Sequence, residues 1–369
     1  MNSQKNKVTK VLMVGSSLRV KGGMTTVVES FLHHKFDKNI ELKYVSTHID
    51  TKNQIFKKIY FLISLINICI QLCFGRVKIV HMHMSERGSF RRKFIIFRLA
   101  KFFDKQVITH THGAEFESYF KYSNNKTQIK IKKLLKDSDV VITLGETWNK
   151  IIKNIEQEAN TFILRNSVPI PPKENTINNE KIKILFLAVL IERKGIIDLI
   201  EASNKIIKEV EKNRKQVEFI IAGEGELLVS SKVLVKKLKL DKYFNFVGWV
   251  NNEQKHQLLQ DTDLFILPSY NEGLPLSILE AISYGIPIIS TNVGSINEAV
   301  KNGENGYLIT PGDKEILADY TIKLINEINF YDMGKTSRLI AKEFFDIDNY
   351  FKKVENLYFR LEEAKRGDR

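Results

Sequence analysis

The chain has 369 residues, 43% of them hydrophobic, with 57 Lys+Arg against 43 Asp+Glu and two cysteines. That length exceeds the roughly 250–300 residues beyond which one hydrophobic core usually splits, so two domains are expected. The cysteines, Cys69 and Cys73, share one apolar run; this excludes a disulfide framework or zinc pattern and fits a reducing, cytoplasmic setting. The polar start "MNSQKNKVTKVLMVGSS" shows no hydrophobic region followed by a small-residue cleavage site, so a secretory signal is not expected.

The net charge of +14 is uneven: residues 1–173 carry 30 Lys+Arg against 13 Asp+Glu, residues 174–369 carry 27 against 30. The first half is therefore expected to face something anionic, whether nucleic acid, a membrane surface or a phosphorylated substrate.

Along the chain, short β-branched runs alternate with helical patterns: "KVLMVGSS", "MTTVVESFLHH", "ELKYVST", "IVHMHM", "VITHTHG" and "VVITLG". This rhythm predicts a parallel sheet covered by helices. Between these elements, Ile59–Gly75 is uncharged over 17 residues, short of the roughly 20 that span a bilayer, and Ser64, Asn67 and Gln71 recur at three and four as one polar stripe. A core helix is expected there, with membrane-surface contact as the second reading.

In "SERGSFRRKFIIFRLAKFFDK", Arg91, Arg98, Lys101 and Lys105 fall within a narrow arc beside Ile95, Leu99 and Phe102. That face suits anionic lipid or a phosphorylated acceptor, or is simply a solvated basic face. Nucleic-acid binding lacks the aromatic platform it needs and is not expected.

After Arg165, "NSVPIPPKENTINNEK" reads as an interdomain linker. The rhythm then restarts with "IKILFLAVL", "GIIDLIEASNKIIKEV", "VEFIIAGEG", "FNFVGWV", "LFILPS" and "IPIIST", and the last stretch, about 344–365, is helical. Two doubly wound domains in series result, at 1–173 and 174–343, with 344–369 predicted to pack back onto the first; ligands are expected where strand carboxyl ends face the cleft between them.

The stretch "NEGLPLSILEAISYGIP" (271–287) concentrates chemistry. Pro275 suits a first helical turn and Gly285 an exit; Gly273 lets a ligand approach the backbone at a helix N-terminus that favours phosphate. Glu280 sits inside the helix among apolar residues and needs a hydrogen-bonding partner. Ser295 with Glu298 reads as a capping box, and "GEGE" at 223–226 as a turn after a strand rather than a dinucleotide fingerprint.

Glu272 and Glu280 form an E-x7-E pattern. With "IAGEGELL", "FVGWV", "LFILPSYNEGLPLSILEAISYGIPIISTNVG" and "NEAVKNGENGYLI" in order, it resembles the GT4 family of retaining, nucleotide-sugar-dependent glycosyltransferases, of the bacterial surface-polysaccharide type. The likeness is dense over about 180–315 and looser in the first half, through "GGM" (22–24) and "HTHG" (110–113).

The resemblance implies an α/β GT-B fold, two Rossmann-like domains facing a central cleft. It also implies that Glu280 binds the nucleotide ribose, Glu272 faces the donor sugar, and the amides of Gly273 and Leu274 approach the distal phosphate. Lys194, with Arg193, would neutralise the diphosphate without a metal cofactor; His112 would act at the reacting sugar; Gly22 and Gly23 would form the acceptor-side loop. Where the family often has a "GR" pair, this chain has Ala188 and Val189.

The implied substrates are a nucleoside-diphosphate sugar and a glycan or polyprenyl-diphosphate-linked acceptor. The implied location is cytoplasmic, peripheral at the inner face of the cell membrane. The competing reading is a metal-dependent hydrolase using His81, His83, His110 and His112, whose paired H-x-H spacing supplies four imidazoles.

Overall fold

The computed structural model describes residues 8–20, 22–172, 181–326 and 330–367. The chain divides into two compact units, Met1–Arg165 with Asp348–Arg369, and Asn166–Ile347.

In the first unit, β1 (Thr9–Gly15), β2 (Ile40–Ser46), β3 (Ile79–Met84), β4 (Gln106–Thr111), β5 (Val140–Thr143) and β6 (Thr161–Ile163) form one sheet in the order β2-β1-β3-β4-β5-β6, every pair parallel. In the second, β7 (Ile182–Leu187), β8 (Val217–Ala222), β9 (Phe244–Gly248), β10 (Leu264–Leu267), β11 (Ile288–Thr291) and β12 (Gly306–Ile309) order as β12-β11-β10-β7-β8-β9, again all parallel. The central strands are buried along their whole length, as parallel strands covered by helices on both faces must be; this is why they read as unbroken apolar runs. Strand order reverses at β1/β3 in one sheet and at β7/β10 in the other, and such switch points open the crevices where doubly wound sheets bind ligands.

The unit boundaries differ from those predicted. Residues 166–171 of the expected linker belong to the second unit because they are bonded into it: Asn166 Nδ2 donates to the Leu274 carbonyl at 2.8 Å, Val168 N–H to the Phe345 carbonyl at 2.9 Å, and Arg338 to the Pro171 carbonyl at 2.5 Å. Residues 173–180 of that linker lie outside the described residues. The last helix, Ile347–Gly367, lies on the first unit's sheet. Tyr358 OH meets His81 Nδ1 at 2.7 Å, and Gln106 Nε2 donates to the Leu361 carbonyl at 2.6 Å.

The uncharged run lies in the helix Gln54–Phe74, started by Asn53, whose side chain accepts from the N–H groups of Ile55 and Phe56. It is long and apolar enough to cross a membrane by length and composition, yet it is the crossover between β2 and β3 and lies along their sheet. The core expectation is corrected: only Ser64, Ile68 and Leu72 are buried, while Ile59, Leu62, Ile63, Ile66 and Ile70 are each about half exposed or more. Of the polar stripe only Ser64 faces inward; Asn67 is exposed and Gln71 half-buried. Ser64 can be buried cheaply because its hydroxyl donates to the Tyr60 carbonyl one turn back, at 2.8 Å.

Candidate functional site

The second unit gathers its charged groups at its switch point. Beyond β7 the chain makes a single turn, Glu192–Lys194, ending at Gly195 with φ of 73°. A Cβ at Gly195 would lie 2.1 Å from the Pro268 carbonyl oxygen, so only glycine lets the loops after β7 and β10 close on each other. They are then stitched together: Tyr270 N–H donates to the Arg193 carbonyl at 2.8 Å, and Arg193 Nη1 to the Asn271 carbonyl at 2.9 Å.

The result is an ionic cluster around one buried carboxylate. Lys194 Nζ donates to Glu272 Oε1, Ser269 Oγ donates to the same oxygen at 2.8 Å, and Arg193 Nη1 lies 3.7 Å from Glu272 Oε2. Glu272 is 5% exposed. Burial pulls the Lys194 ammonium below its ordinary range; Glu272 opposes that shift and Arg193 adds to it.

The loop that bears Glu272 is pinned from two further sides. Gly273 offers its carbonyl to Ser295 N–H at 2.8 Å, and Leu274 offers its own to Asn166. Gly294 adopts φ of 58° with its Cβ position 2.1 Å from the Glu272 carbonyl oxygen, a second obligatory glycine. The helix Leu276–Ser283 starts directly after this loop, with Pro275 at its N-cap, and Gly285 exits it at φ of 77°.

Glu280, on that helix, has Lys255 as its partner; Lys255 comes from the helix Asn252–Gln260. Burial raises the Glu280 carboxyl above its usual range, and Lys255 pulls it back. The predicted capping box at Ser295 does not form. No side-chain cap bond is made there, and Ser295 Oγ is buried without a partner among the described residues because the residue closes a turn onto Gly273.

In the first unit, Gly22 caps the helix Gly23–His33, its carbonyl accepting from Thr25 N–H at 3.0 Å and Thr26 N–H at 3.3 Å. His112 follows β4. The register pairs His83 with His110 across β3 and β4, so four imidazoles share one sheet face beneath Phe31. They form a ladder: His83 Nδ1 lies 2.9 Å from His112 Nε2, and His81 Nε2 lies 3.3 Å from His110 Nδ1. Burial pushes His81 and His112 down to about 3 and holds His83 and His110 well below the ordinary range, so all four are neutral near pH 7.

The donor nitrogens of His81, His83 and His110 lie within 4.8 Å of one another. A tetrahedral zinc holds nitrogens at about 2.0–2.1 Å and hence roughly 3.4 Å apart, whereas these rings spend their inward nitrogens on each other and on Tyr358. The arrangement suits a neutral hydrogen-bonded ladder better than a hydrolase centre.

The basic helix is Gly88–Phe102. Arg91 and Arg98 are exposed beside exposed Ile95 and Phe102. Lys101 is not free to serve it, since Asp139 Oδ2 lies 2.6 Å away, and Lys105 lies past the helix end. Sequence reasoning missed Ser269 and Lys255, which no spacing rule connects to the glutamates they bond. It also missed Lys93, whose position among Phe90, Ile96, Phe97 and Ala100 on the buried arc was a readable signal.

Residues 169–337 match the family described as Glycosyl transferases group 1. The N-acetyl-alpha-D-glucosaminyl L-malate synthase of Bacillus anthracis is 28% identical over 276 residues, 71% of this chain and 70% of that protein. The UDP-Gal:alpha-D-GlcNAc-diphosphoundecaprenol alpha-1,3-galactosyltransferase of Escherichia coli is 33% identical over 144 residues, 39% of this chain and 37% of that one. Among solved structures, sucrose-phosphate synthase of Thermosynechococcus elongatus superposes with a TM-score of 0.80 at 16% identity, covering 96% of this chain and 100% of that one. Nothing in these likenesses supports a hydrolase. The chain is a glycosyltransferase of GT-B fold, its second unit carrying the group 1 glycosyltransferase module.

Proposed function

We propose that the enzyme moves a sugar, with retention at the anomeric carbon, from a nucleoside-diphosphate sugar to a glycan or polyprenyl-diphosphate-linked acceptor in the assembly of a bacterial surface polysaccharide. The observation that carries the reading is the Lys194–Glu272–Arg193 cluster, built on a buried carboxylate at the second sheet's switch point and set directly before a helix N-terminus. The named acceptor of the Escherichia coli relative favours a lipid-diphosphate-linked glycan; the malate synthase keeps a small hydroxy acid as the alternative acceptor class.

In this reading the donor's ribose hydroxyls donate to Glu280, and its diphosphate draws Lys194 and Arg193 away from Glu272. Glu272, released, accepts from the donor sugar's hydroxyls. The bond from the anomeric carbon to the phosphate oxygen breaks, the acceptor oxygen bonds that carbon from the same face, and the acceptor's proton passes to the departing phosphate. These two cations stabilise the charge that develops there, so no metal ion is required. His112 contributes a neutral imidazole at the reacting sugar, and Gly22 and Gly23 form the acceptor-side loop.

The enzyme works at the inner face of the cell membrane, held by the exposed apolar face of the helix Gln54–Phe74. That helix carries Lys57 and Lys58 and no acidic residue, which suits an anionic bilayer.

The test is thermal stabilisation against UDP-, GDP-, ADP- and dTDP-sugars, with and without chelator, followed by Glu280→Ala and Lys194→Ala. A chelator-insensitive shift by one nucleotide family, weakened by Glu280→Ala, supports the reading. Absence of any nucleotide response, or unchanged kinetics in both variants, overturns it.

A further inference from the structure

The first unit holds a second group of cations that the donor chemistry does not use. Lys93, on the inner face of the helix Gly88–Phe102, is 1% exposed, and its Nζ donates to Thr47 Oγ1 at 2.8 Å. Thr47 Oγ1 in turn donates a hydrogen bond to the Gly15 carbonyl, also at 2.8 Å. Lys93 has no carboxylate partner among the described residues. Its neighbour Arg92 is partly exposed, with a buried Nε lacking any hydrogen-bond partner and no ion pair among the described residues.

His48 and Lys57 share the same field. Burial, then Arg92, Lys57 and Lys93, push His48 down to about 4, opposed only by Asp50. Lys93 itself is lowered to about 7 by burial and then by Arg92.

A buried cation with one neutral partner is costly, and cations that depress one another's charge are stabilised together by an arriving anion. The position is also that of a ligand site. Gly15 ends β1, Thr47 follows β2 and Lys93 follows β3, so the cluster stands at the first sheet's switch point. His48 is tied to the loop leading to Gly22, its carbonyl accepting from Ser17 N–H at 2.7 Å. Burial is graded from Thr47 and Lys93, through Arg92 and His48, to exposed Asp50. The planar fork of Arg92 takes two oxygens and the ammonium of Lys93 a third, which a phosphate can supply and a single carboxylate cannot.

We propose that Arg92, Lys93, Thr47 and His48 form an anion site for a phosphate or diphosphate carried by the acceptor. The assignment to the acceptor rests on the glycosyltransferase reading above. The phosphate belongs either to a lipid-diphosphate carrier or to a water-soluble sugar phosphate.

Inorganic pyrophosphate is titrated by calorimetry into the full chain saturated with the stabilising nucleoside diphosphate, which occupies the Lys194 site. Arg92→Gln should weaken pyrophosphate binding about tenfold with nucleotide affinity unchanged; undiminished binding, or equal loss of both, overturns the proposal. Lys93→Met is the stronger variant, and Arg92→Gln, at a partly exposed position, keeps the test open if Lys93→Met fails to fold. If no nucleotide binds, the donor reading fails alone, and titration into Lys194→Ala still tests the Arg92 site. In turnover assays, Arg92→Gln should raise KM at least tenfold either for a polyprenyl-diphosphate glycan in vesicles or for a soluble sugar phosphate, naming the source. A KM unchanged for both overturns the acceptor assignment.

Discussion

His83 Nδ1 lies 2.9 Å from His112 Nε2, and the other nitrogen of His83 is buried with no partner among the described residues. An orphaned buried N–H costs more than an orphaned lone pair, so the proton of His83 is assigned to Nδ1, donating to His112. His112 must then carry its own proton on Nδ1. The ladder thus sets which face of His112 donates and which accepts, a positioning role for His83.

Replacing His83 with Leu should lower kcat about 2- to 10-fold, the worth of one hydrogen bond, with donor KM unchanged. His83→Asn, whose amide nitrogen can stand where Nδ1 stood, should recover most of the loss. A Leu variant with unchanged kcat would remove His83 from the mechanism.

The same burial makes the fold acid-sensitive. His81 is fully buried with its pKa lowered to about 3, whereas in the unfolded chain it titrates near 6.5. Above about pH 6.5 it is neutral in both states and contributes nothing to the difference. Below that pH the unfolded chain binds the proton and the folded chain does not, so stability falls until the pH nears 3. Urea unfolding at pH 7.5 and 5.5 should show a loss of about 1 kcal/mol from His81 alone, and His81→Phe should flatten that slope. An equal slope in both proteins refutes the assignment.

Lys194 and Glu272 stabilise each other in the absence of donor, so single changes should mislead. Lys194→Ala leaves Glu272 buried with Ser269 and a more distant Arg193, at a cost of about 3 kcal/mol of stability, and should reduce kcat about 100-fold. Adding Glu272→Gln should restore part of the stability and none of the turnover. A double-mutant cycle with independent, additive stability effects would show that the pair is not coupled.

How far the sequence foretells this arrangement depends on how local each signal is. Both parallel sheets are legible because doubly buried strands such as Leu264–Leu267 and Ile288–Thr291 must be apolar throughout. Glu280 visibly needs a partner, but Lys255 lies 25 residues earlier on another helix and meets it only through the fold. The pattern at Ser295 and Glu298 obeys the capping rule, yet the tertiary bond from Ser295 N–H to Gly273 wins. From Ile59 onward the uncharged sequence lacks the contrast between faces that periodicity needs, and a serine able to bond its own helix removes the penalty for turning inward.

The outward apolar face of Gln54–Phe74 leads to a sharper expectation for membrane contact. Ile59, Ile63 and Ile66 stand outward with nothing in the described structure covering them, and full burial of one such side chain is worth roughly 1.5–3 kcal/mol. Partial insertion of three therefore outweighs the basic helix, whose exposed Arg91 and Arg98 supply about 1 kcal/mol each near an anionic surface, with Lys101 held by Asp139. The triple change of Ile59, Ile63 and Ile66 to Gln should reduce sedimentation with anionic vesicles at least tenfold at any salt concentration. Arg91→Gln with Arg98→Gln should reduce it less, with a deficit that shrinks as salt screens the surface. Sedimentation of the triple variant equal to the wild type would leave the apolar face without a role at the membrane.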